Sequence, residues 1–409
     1  MRKNMPEKEL KRTLNLTECI FFGVGSILGA GIYTIIGKVA GLAGNLTWLA
    51  FVIAFFTALL TAFSYAELSA AYPKAGGEYV YTKNALGTKA GVVLGLIISL
   101  NGIISGATVA VGFGGYLTEL LETEVLIGAI GIIIFIFLVN VSGIRESSVI
   151  NIIFTVIEIS GLLLVIYSAF PKIGEVNLLE MPSNGKASVL MAASLGFFAF
   201  IGFEEIVKLA EETQQPEKNI PRALFAASGI VVIIYLLVAV CAVSALSIEK
   251  LAASKSPLSD ITEQGLGSTA AVIIVVIALF STSNTILSNM LGSSRVIYNI
   301  SRETKWLARF GKLSEKRQTP VPALMVILVI MTAFTFIGKI ETIAMIANIF
   351  IFIAFFTVNL SVILLRRSLP DVKRPFRIPL NIKNVPLISV LGMMMTLILL
   401  GFNIYSLIN

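Results

Sequence analysis

Residues 22–33 read Phe22-Gly23-Val24-Gly25-Ser26-Ile27-Leu28-Gly29-Ala30-Gly31-Ile32-Tyr33 and lie inside an apolar run, residues 16–36. The run is long enough to cross a bilayer as a helix. Its glycines, however, weaken a helix interior and let the backbone come close to a ligand. Because lipid offers no partner to unpaired backbone N–H and C=O groups, a broken helix persists in a membrane only where it lines a buried cavity. The stretch therefore predicts a broken membrane helix at a binding site.

A second apolar run, residues 188–208, contains a similar interruption at residues 196–203, Gly196-Phe197-Phe198-Ala199-Phe200-Ile201-Gly202-Phe203. Two glycine-interrupted spans in corresponding positions of two halves of a chain indicate the binding site of a transporter. The alternative is that the glycines only allow neighbouring helices to pack closely. The presence of both interruptions favours the binding site.

The composition indicates a multi-pass membrane protein. Of 409 residues, 56% are hydrophobic and 13% are charged, with a mean hydropathy of +0.90, which excludes a soluble globular domain. The pattern predicts an all-α protein with eleven spans at residues 16–36, 46–70, 89–117, 125–142, 149–170, 188–208, 222–247, 268–300, 321–338, 342–365 and 386–407. With the N-terminus inside, few of the 31 Lys and Arg residues fall outside: Lys38, Lys172, Lys186, Lys250, Lys255 and Lys339. The positive-inside rule then predicts a cytoplasmic N-terminus and an extracellular C-terminus in the plasma membrane.

Charge and residue usage exclude several classes of function. The net charge of +7 is assigned to cytoplasmic loops that face anionic membrane lipid, and no basic stretch is patterned for nucleic acid. The chain has no histidine and only two isolated cysteines, Cys19 and Cys241, so Ser-His catalysis and a metal site are not expected. No phosphate-binding loop for ATP is present either. We therefore expect neither an enzyme nor a cofactor.

Glu158 lies near the middle of the fifth predicted span, where an ionised carboxylate is costly unless it is paired or hydrated. It is a candidate proton or cation site, with a protonated structural carboxyl group as the alternative. On the eighth span, helical spacing brings to one face Ser281, Asn284, Thr285 and Ser288. Such a face suits Na⁺, a hydroxyl-bearing substrate or Glu158 itself, although back-bonding within the helix is also possible. The expected coupling-ion residues are Glu158, Ser281, Asn284 and Thr285.

Two polar residues one turn apart in the third span, Asn101 and Ser105, either line a pathway or bond neighbouring helices. We include Asn101 among the candidate substrate-binding residues.

The two interrupted spans each begin a group of five, which predicts an inverted repeat. The expected organisation is a cytoplasmic N-terminus (1–15), a first repeat (16–170), an extracellular loop (171–187), a second repeat (188–365), a cytoplasmic loop (366–385) and an eleventh helix (386–409).

Several motifs recur in order along nearly the whole chain. They are Gly25-Ser26-Ile27-Leu28-Gly29-Ala30-Gly31-Ile32-Tyr33, Tyr65-Ala66-Glu67-Leu68, Tyr72-Pro73 with Gly76-Gly77-Glu78-Tyr79, Phe197-Phe198-Ala199-Phe200-Ile201-Gly202-Phe203-Glu204, Ile220-Pro221-Arg222, Ser294-Arg295-Val296-Ile297-Tyr298 and Arg374-Pro375-Phe376-Arg377-Ile378-Pro379. Together they resemble the amino acid–polyamine–organocation superfamily.

The resemblance implies the five-plus-five inverted-repeat fold of leucine transporters, with helices 1 and 6 broken and a substrate site between them. The substrate carboxylate would meet the N–H groups of Ala30 and Gly31 at the positive end of a half-helix. The ammonium group would meet carbonyls around Ile27, Phe198 and Ile201, and Phe198 or Phe203 would cover the substrate. The substrate-binding residues expected from the sequence and the resemblance are Ile27, Gly29, Ala30, Gly31, Asn101, Phe198, Ile201, Gly202 and Phe203.

This sequence departs from the superfamily pattern in two places. Relatives usually have twelve spans, and many carry a lysine where Glu158 stands. The function expected is a secondary active transporter of neutral amino acids, working by alternating access as a proton-coupled symporter. The alternatives are sodium-coupled symport, exchange of amino acids or amines, a channel, and a sensor that binds an amino acid without moving it.

Overall fold

The computed structural model describes residues 12, 14–74, 76–182, 185–314, 317, 319–337 and 340–408, so most of the expected N-terminal segment and residue 409 lie outside the described residues. The chain folds into helices that we number α1 (Leu16–Ala43), α2 (Thr47–Ala71), α3 (Glu78–Leu86), α4 (Thr88–Leu121), α5 (Val125–Ser142), α6 (Ile144–Ala169), α7 (Lys186–Gly196), α8 (Glu205–Lys208), α9 (Pro216–Ala245), α10 (Ile248–Ala253), α11 (Pro257–Leu266), α12 (Ser268–Glu303), α13 (Val321–Thr335), α14 (Ile340–Ser368) and α15 (Leu387–Ile408). A short antiparallel hairpin joins α14 to α15, with strands β1 (Asn381–Ile382) and β2 (Val385–Pro386).

In the described residues, nine helical segments are long and apolar enough to cross a membrane. Two shorter apolar helices add to them: Leu16–Gly29, which is the part of α1 up to its interruption, and Val321–Thr335, which is α13. The protein is therefore an all-α polytopic membrane protein, as its composition predicts. Each expected span overlaps an apolar helix, but the count of eleven crossings stays a prediction because these two helices are short for a bilayer.

Both predicted interruptions are present in the backbone. In α1, Gly29 has φ −24° and ψ −148°, which is not helical. After α7 the chain makes a 3₁₀ turn, Phe197–Phe200, and becomes extended at Ile201. Gly202 then takes φ +126°, a value that side chains disfavour, before α8 begins. The glycines thus interrupt the helices where the sequence indicates.

Helix boundaries differ from the expected spans where polar residues continue a helix. α9 begins at Pro216 instead of residue 222, because Pro216 stands in the first turn, where a missing N–H costs nothing. Between α9 and α12 the chain forms α10 and α11, which hydropathy alone does not reveal since they are partly polar. Gly76 and Gly77 form a tight turn, with Gly77 at φ +46°, and α3 follows directly.

α1 occupies the centre of the molecule. It packs against α6, α9 and α12, and its middle contacts the interrupted segment between α7 and α8. Its residues from Phe22 to Gly29 are all buried. This arrangement brings the two backbone interruptions together inside the helix bundle.

Candidate functional site

A small buried cavity lies where the two interrupted segments meet. It is lined by Ser26, Ile27, Gly31, Ser105, Val109, Phe198, Ile201, Thr285 and Asn289. About 10 Å³ of it is open to the centre of a water molecule, roughly the space that one water needs. The cavity is therefore too small for an amino acid in this conformation. Its walls come from α1, α4, the segment 197–204 and α12.

The two interruptions touch because glycine leaves room for backbone. A Cβ atom on Gly31 would lie 2.4 Å from the Cα atom of Ala199, and one on Gly202 would lie 2.3 Å from the carbonyl oxygen of Ser26. Real Cβ atoms do not approach other atoms so closely, so larger residues would push the segments apart. Glycine at these positions is a requirement of the contact between the interruptions.

Tyr235 of α9 ties the two interruptions together. Its hydroxyl oxygen lies 2.6 Å from the Ile27 carbonyl oxygen, 3.2 Å from that of Leu28 and 3.0 Å from that of Ala199. These carbonyls belong to backbone near the interruptions, and Tyr235 supplies them with a donor. Sequence reasoning did not find Tyr235, because a lone tyrosine in an apolar helix has no distinguishing pattern.

The other expected substrate-binding residues take different places. Gly29 is the non-helical residue that interrupts α1, and Ala30 follows it directly. Asn101 is buried one turn from Ser105, which does line the cavity, and its Oδ1 has no hydrogen-bond partner in the described part of the chain, nor has the Ser105 hydroxyl. Phe203 is not among the lining residues; its ring packs edge-on against Tyr65 at 5.5 Å. Phe198 thus lies at the cavity, whereas Phe203 faces away from it.

The buried Glu158 carboxylate lies against α12. Ser281 donates its hydroxyl to Oε1, and the Asn284 amide lies 3.4 Å from Oε2. Both partners are neutral, and among the described residues no cation contacts this carboxylate. The site brings together three of the four expected coupling-ion residues.

Thr285, the fourth, lines the cavity. Its hydroxyl oxygen would stand 1.5 Å from a Cβ atom on Gly29, and Thr155 Oγ1 would stand 1.9 Å from one on Gly25. The glycines of α1 therefore let the polar residues of α6 and α12 reach its backbone.

Hydrogen bonds connect the cavity to Glu158. The Ser26 hydroxyl donates to Ser288 at 3.3 Å, and the Asn151 amide donates to Ser288 at 3.3 Å and to Asn284 at 2.8 Å. Asn284 in turn contacts Glu158. Asn151 and its place in this chain of contacts were missed, since one amide at the start of a span carries no signal of its partners. Within the described residues, no group of three or more His, Cys, Asp or Glu side chains could hold a metal ion.

A second buried cluster lies beyond the interruption, towards α3. Glu205 and Lys208 form an ion pair, and the Tyr65 hydroxyl donates to Glu78 Oε1 at 3.0 Å. Burial of Glu78 raises the pKa of its carboxyl group, and nearby Lys208 partly offsets that rise. The cluster thus joins α2, α3 and α8 through buried polar contacts.

Comparison with known proteins decides the family. The sequence profile of the amino acid permease family matches residues 14–408. This chain belongs to the amino acid permease family. The expected membership in the amino acid–polyamine–organocation superfamily is thus confirmed, and the permease is a multi-pass membrane transporter and not an enzyme.

Three relatives show how far the similarity extends. The branched-chain amino acid permease BcaP of Bacillus subtilis is 28% identical to this permease over 96% of the chain and 88% of that protein. The methylthioribose transporter of the same organism is 27% identical, covering 93% and 87%. The inner membrane transport protein YbaT of Escherichia coli is 28% identical, covering 97% and 90%. The permease therefore matches these relatives along most of their length.

Proposed function

We propose that this permease is a secondary active transporter that carries a neutral amino acid together with a proton by alternating access. The observation that carries the proposal is the meeting of two interrupted helices at one buried cavity. In membrane transporters, half-helix ends of this kind hold substrates near the middle of the bilayer. The proposed frame is the five-plus-five inverted repeat, with α15 as an additional eleventh span.

The substrate's backbone groups would bind to protein backbone. The outer half of α1 starts beyond Gly29, so the N–H groups of Ala30 and Gly31 point their positive partial charge at a carboxylate. The ammonium group would meet the carbonyl of Ile27 and those near Phe198 and Ile201. Gly29 and Gly202 would permit the required backbone conformation.

The cavity walls favour an uncharged, moderately apolar side chain. Ile27, Val109, Phe198 and Ile201 supply apolar surface, and none of the described residues that line the cavity is acidic or basic. Ser105, which lines the cavity, and Asn101, one turn away, have buried polar atoms with no hydrogen-bond partner among the described residues. Phe198 would cover the substrate. Similarity to a branched-chain amino acid permease supports this class of substrate, and similarity to a methylthioribose transporter makes an uncharged thiosugar the competing substrate to test.

Glu158 would carry the coupling proton. A carboxylate buried between two neutral donors lacks the countercharge that would stabilise its ionised form. It would therefore take up H⁺ readily. The hydrogen bonds through Asn284, Asn151 and Ser288 would couple its protonation to the cavity. Sodium coupling is the second candidate, because Ser281 and Asn284 bring oxygen atoms close to the Glu158 carboxylate.

The experiment is uptake of a labelled amino acid mixture into proteoliposomes under an inward proton gradient, an inward Na⁺ gradient and no gradient. Wild type is compared with Glu158→Gln, and Glu175→Gln serves as an exposed control with the same change of charge. We expect proton-driven accumulation that Glu158→Gln lowers at least tenfold and Glu175→Gln leaves intact.

Other outcomes would change the proposal. Accumulation driven by Na⁺ would show that the coupling ion is sodium and not a proton. Proton-driven accumulation that persists in Glu158→Gln would make Glu158 structural. Uptake that occurs only against a preloaded amino acid would identify an exchanger, and binding without any uptake would identify a sensor.

A further inference from the structure

A polar pocket separate from the transport cavity lies at the end of α14, where residues 369–386 fold back towards α2. Its lining residues are Arg366, Pro370, Val372, Arg374, Arg377 and Asn384. About 180 Å³ of the pocket is open to the centre of a water molecule, more than ten times the roughly 10–15 Å³ that one water needs. The pocket can therefore hold a polyatomic ligand.

The surroundings of the pocket are strongly basic. Residues 366–386 contain one acidic side chain, Asp371, and six basic ones: Arg366, Arg367, Lys373, Arg374, Arg377 and Lys383. In the described part of the chain, Glu67 of α2 is the one carboxylate that pairs with the lining arginines: it pairs with Arg366, and its Oε1 lies 3.3 Å from Nε of Arg374. One carboxylate facing two guanidinium groups leaves positive charge uncompensated at the wall of the pocket.

Arg377 carries most of the free hydrogen-bonding capacity. Its NH2 group donates to Asn384 Oδ1 at 2.6 Å, and no carboxylate pairs with it among the described residues. A guanidinium group has five N–H donors in a planar fork, so Arg377 keeps donors for a ligand. Arg374, by contrast, donates to the carbonyl of Leu365 in the last turn of α14 and to that of Leu369 just beyond it.

The hairpin holds Asn384 beside Arg377 at a conformational cost. Lys383 and Asn384 join β1 to β2 with φ values of +46° and +70°, a two-residue turn of the kind that usually contains glycine. The Asn384 amide also donates to the backbone carbonyl of Arg366 at 3.1 Å. Hydrogen bonds thus fix the position of the polar wall formed by Asn384.

We propose that this pocket binds a phosphate group. The oxygens of a phosphate group can accept from the planar fork of an arginine in a bidentate manner, and Arg377, held by its hydrogen bond to Asn384 Oδ1, lines the pocket with donors to spare. Basic pockets beside membrane helices bind the headgroups of anionic lipids, and a soluble phosphate compound offers the same chemistry. The experiment separates these two sources.

The test measures the thermal unfolding midpoint of the purified permease in detergent. One arm adds phosphatidylglycerol and compares it with phosphatidylcholine; the other adds 10 mM inorganic phosphate and compares it with equimolar chloride. Four proteins are compared: wild type, Arg377→Gln, Arg377→Lys and Arg367→Gln. Arg367 is the matched control, because it is exposed on the same segment, does not line the pocket and loses the same charge.

We expect phosphatidylglycerol or phosphate to raise the unfolding midpoint of wild type and of Arg367→Gln by several degrees. Arg377→Gln should lose most of that rise, and Arg377→Lys more than half of it, because lysine keeps the charge but not the fork. A response to the lipid alone assigns the phosphate to a headgroup, and a response to inorganic phosphate alone assigns it to a soluble compound. Equal losses in Arg367→Gln and Arg377→Gln, or no stabilisation of wild type by either probe, would overturn the proposal.

Discussion

At the scale of single residues, Tyr235 joins parts of the chain that the sequence keeps far apart. One hydroxyl group serves carbonyls of both interruptions, so its loss affects the backbone of α1 and of the 197–204 segment at once. A buried carbonyl that loses its donor costs about 1–3 kcal/mol. The ring, in contrast, packs against Phe51 and Phe200 and would stay in place without the hydroxyl.

We therefore expect Tyr235→Phe to fold but to lower uptake in proteoliposomes at least fivefold, because the interrupted segments lose their common donor. Tyr167→Phe is the matched control, since Tyr167 is 71% exposed on α6. Unchanged uptake in Tyr235→Phe would show that the three carbonyl contacts have no part in transport.

Substitution of Gly29 tests whether transport requires the close approach of α1 to α12. A Cβ atom there would collide with Thr285, so Gly29→Ala must displace α1 or α12. Uptake should fall below a tenth of the wild-type rate. Gly229→Ala on α9, where a Cβ atom meets nothing within 4 Å, should leave uptake unchanged, and wild-type rates in both variants would contradict the argument.

At the scale of elements, α3 makes stability depend on pH through Glu78. Burial raises the pKa of this carboxyl group above its value in the unfolded chain, so the protonated form favours folding. That stabilisation is complete below the unfolded pKa, near 4.5, and is lost as pH rises through the folded pKa. The groups facing Glu78 are Tyr65, Tyr81, Lys208 and Glu205.

Replacement by a neutral isostere should remove this dependence. The unfolding temperature of wild type, measured relative to that of Glu78→Gln, should decrease as the pH is raised from 4 to 8. Thermal unfolding in detergent at each pH measures this difference. A difference between the two proteins that stays constant over this range would mean that Glu78 does not titrate on unfolding.

The elements also show how far sequence reasoning reaches. Glycine clusters mark both interruptions, and apolar length marks the helices, because these signals are local and intrinsic to the chain. The meeting of Glu158 with Ser281 could be anticipated only as one of several roles for a polar helix face. The contacts of Tyr235 and Asn151 and the packing of Phe203 against Tyr65 could not be anticipated, since each depends on which distant helix lies opposite.

At the scale of the whole molecule, the distribution of basic residues predicts an orientation that cysteine labelling can test. Cys19 and Cys241 are both buried, so the natural chain provides a low background for a membrane-impermeant maleimide. Intact cells should label Glu175→Cys and Ile408→Cys, whereas Lys373→Cys should react only after the membrane is permeabilised. Labelling of Lys373→Cys in intact cells would show that the orientation is opposite to the one proposed.

The tightness of the central cavity has a consequence for measured affinities. Since about 10 Å³ admits the centre of a water molecule, an amino acid can enter only a dilated conformation. If that conformation made up about one hundredth of the population, the apparent dissociation constant would exceed the intrinsic one about a hundredfold. A smaller residue in place of Phe198 would raise the population of the dilated conformation and so lower the apparent dissociation constant, even though it removes contacts with the substrate. The measured affinity would then not report how well the substrate fits the cavity.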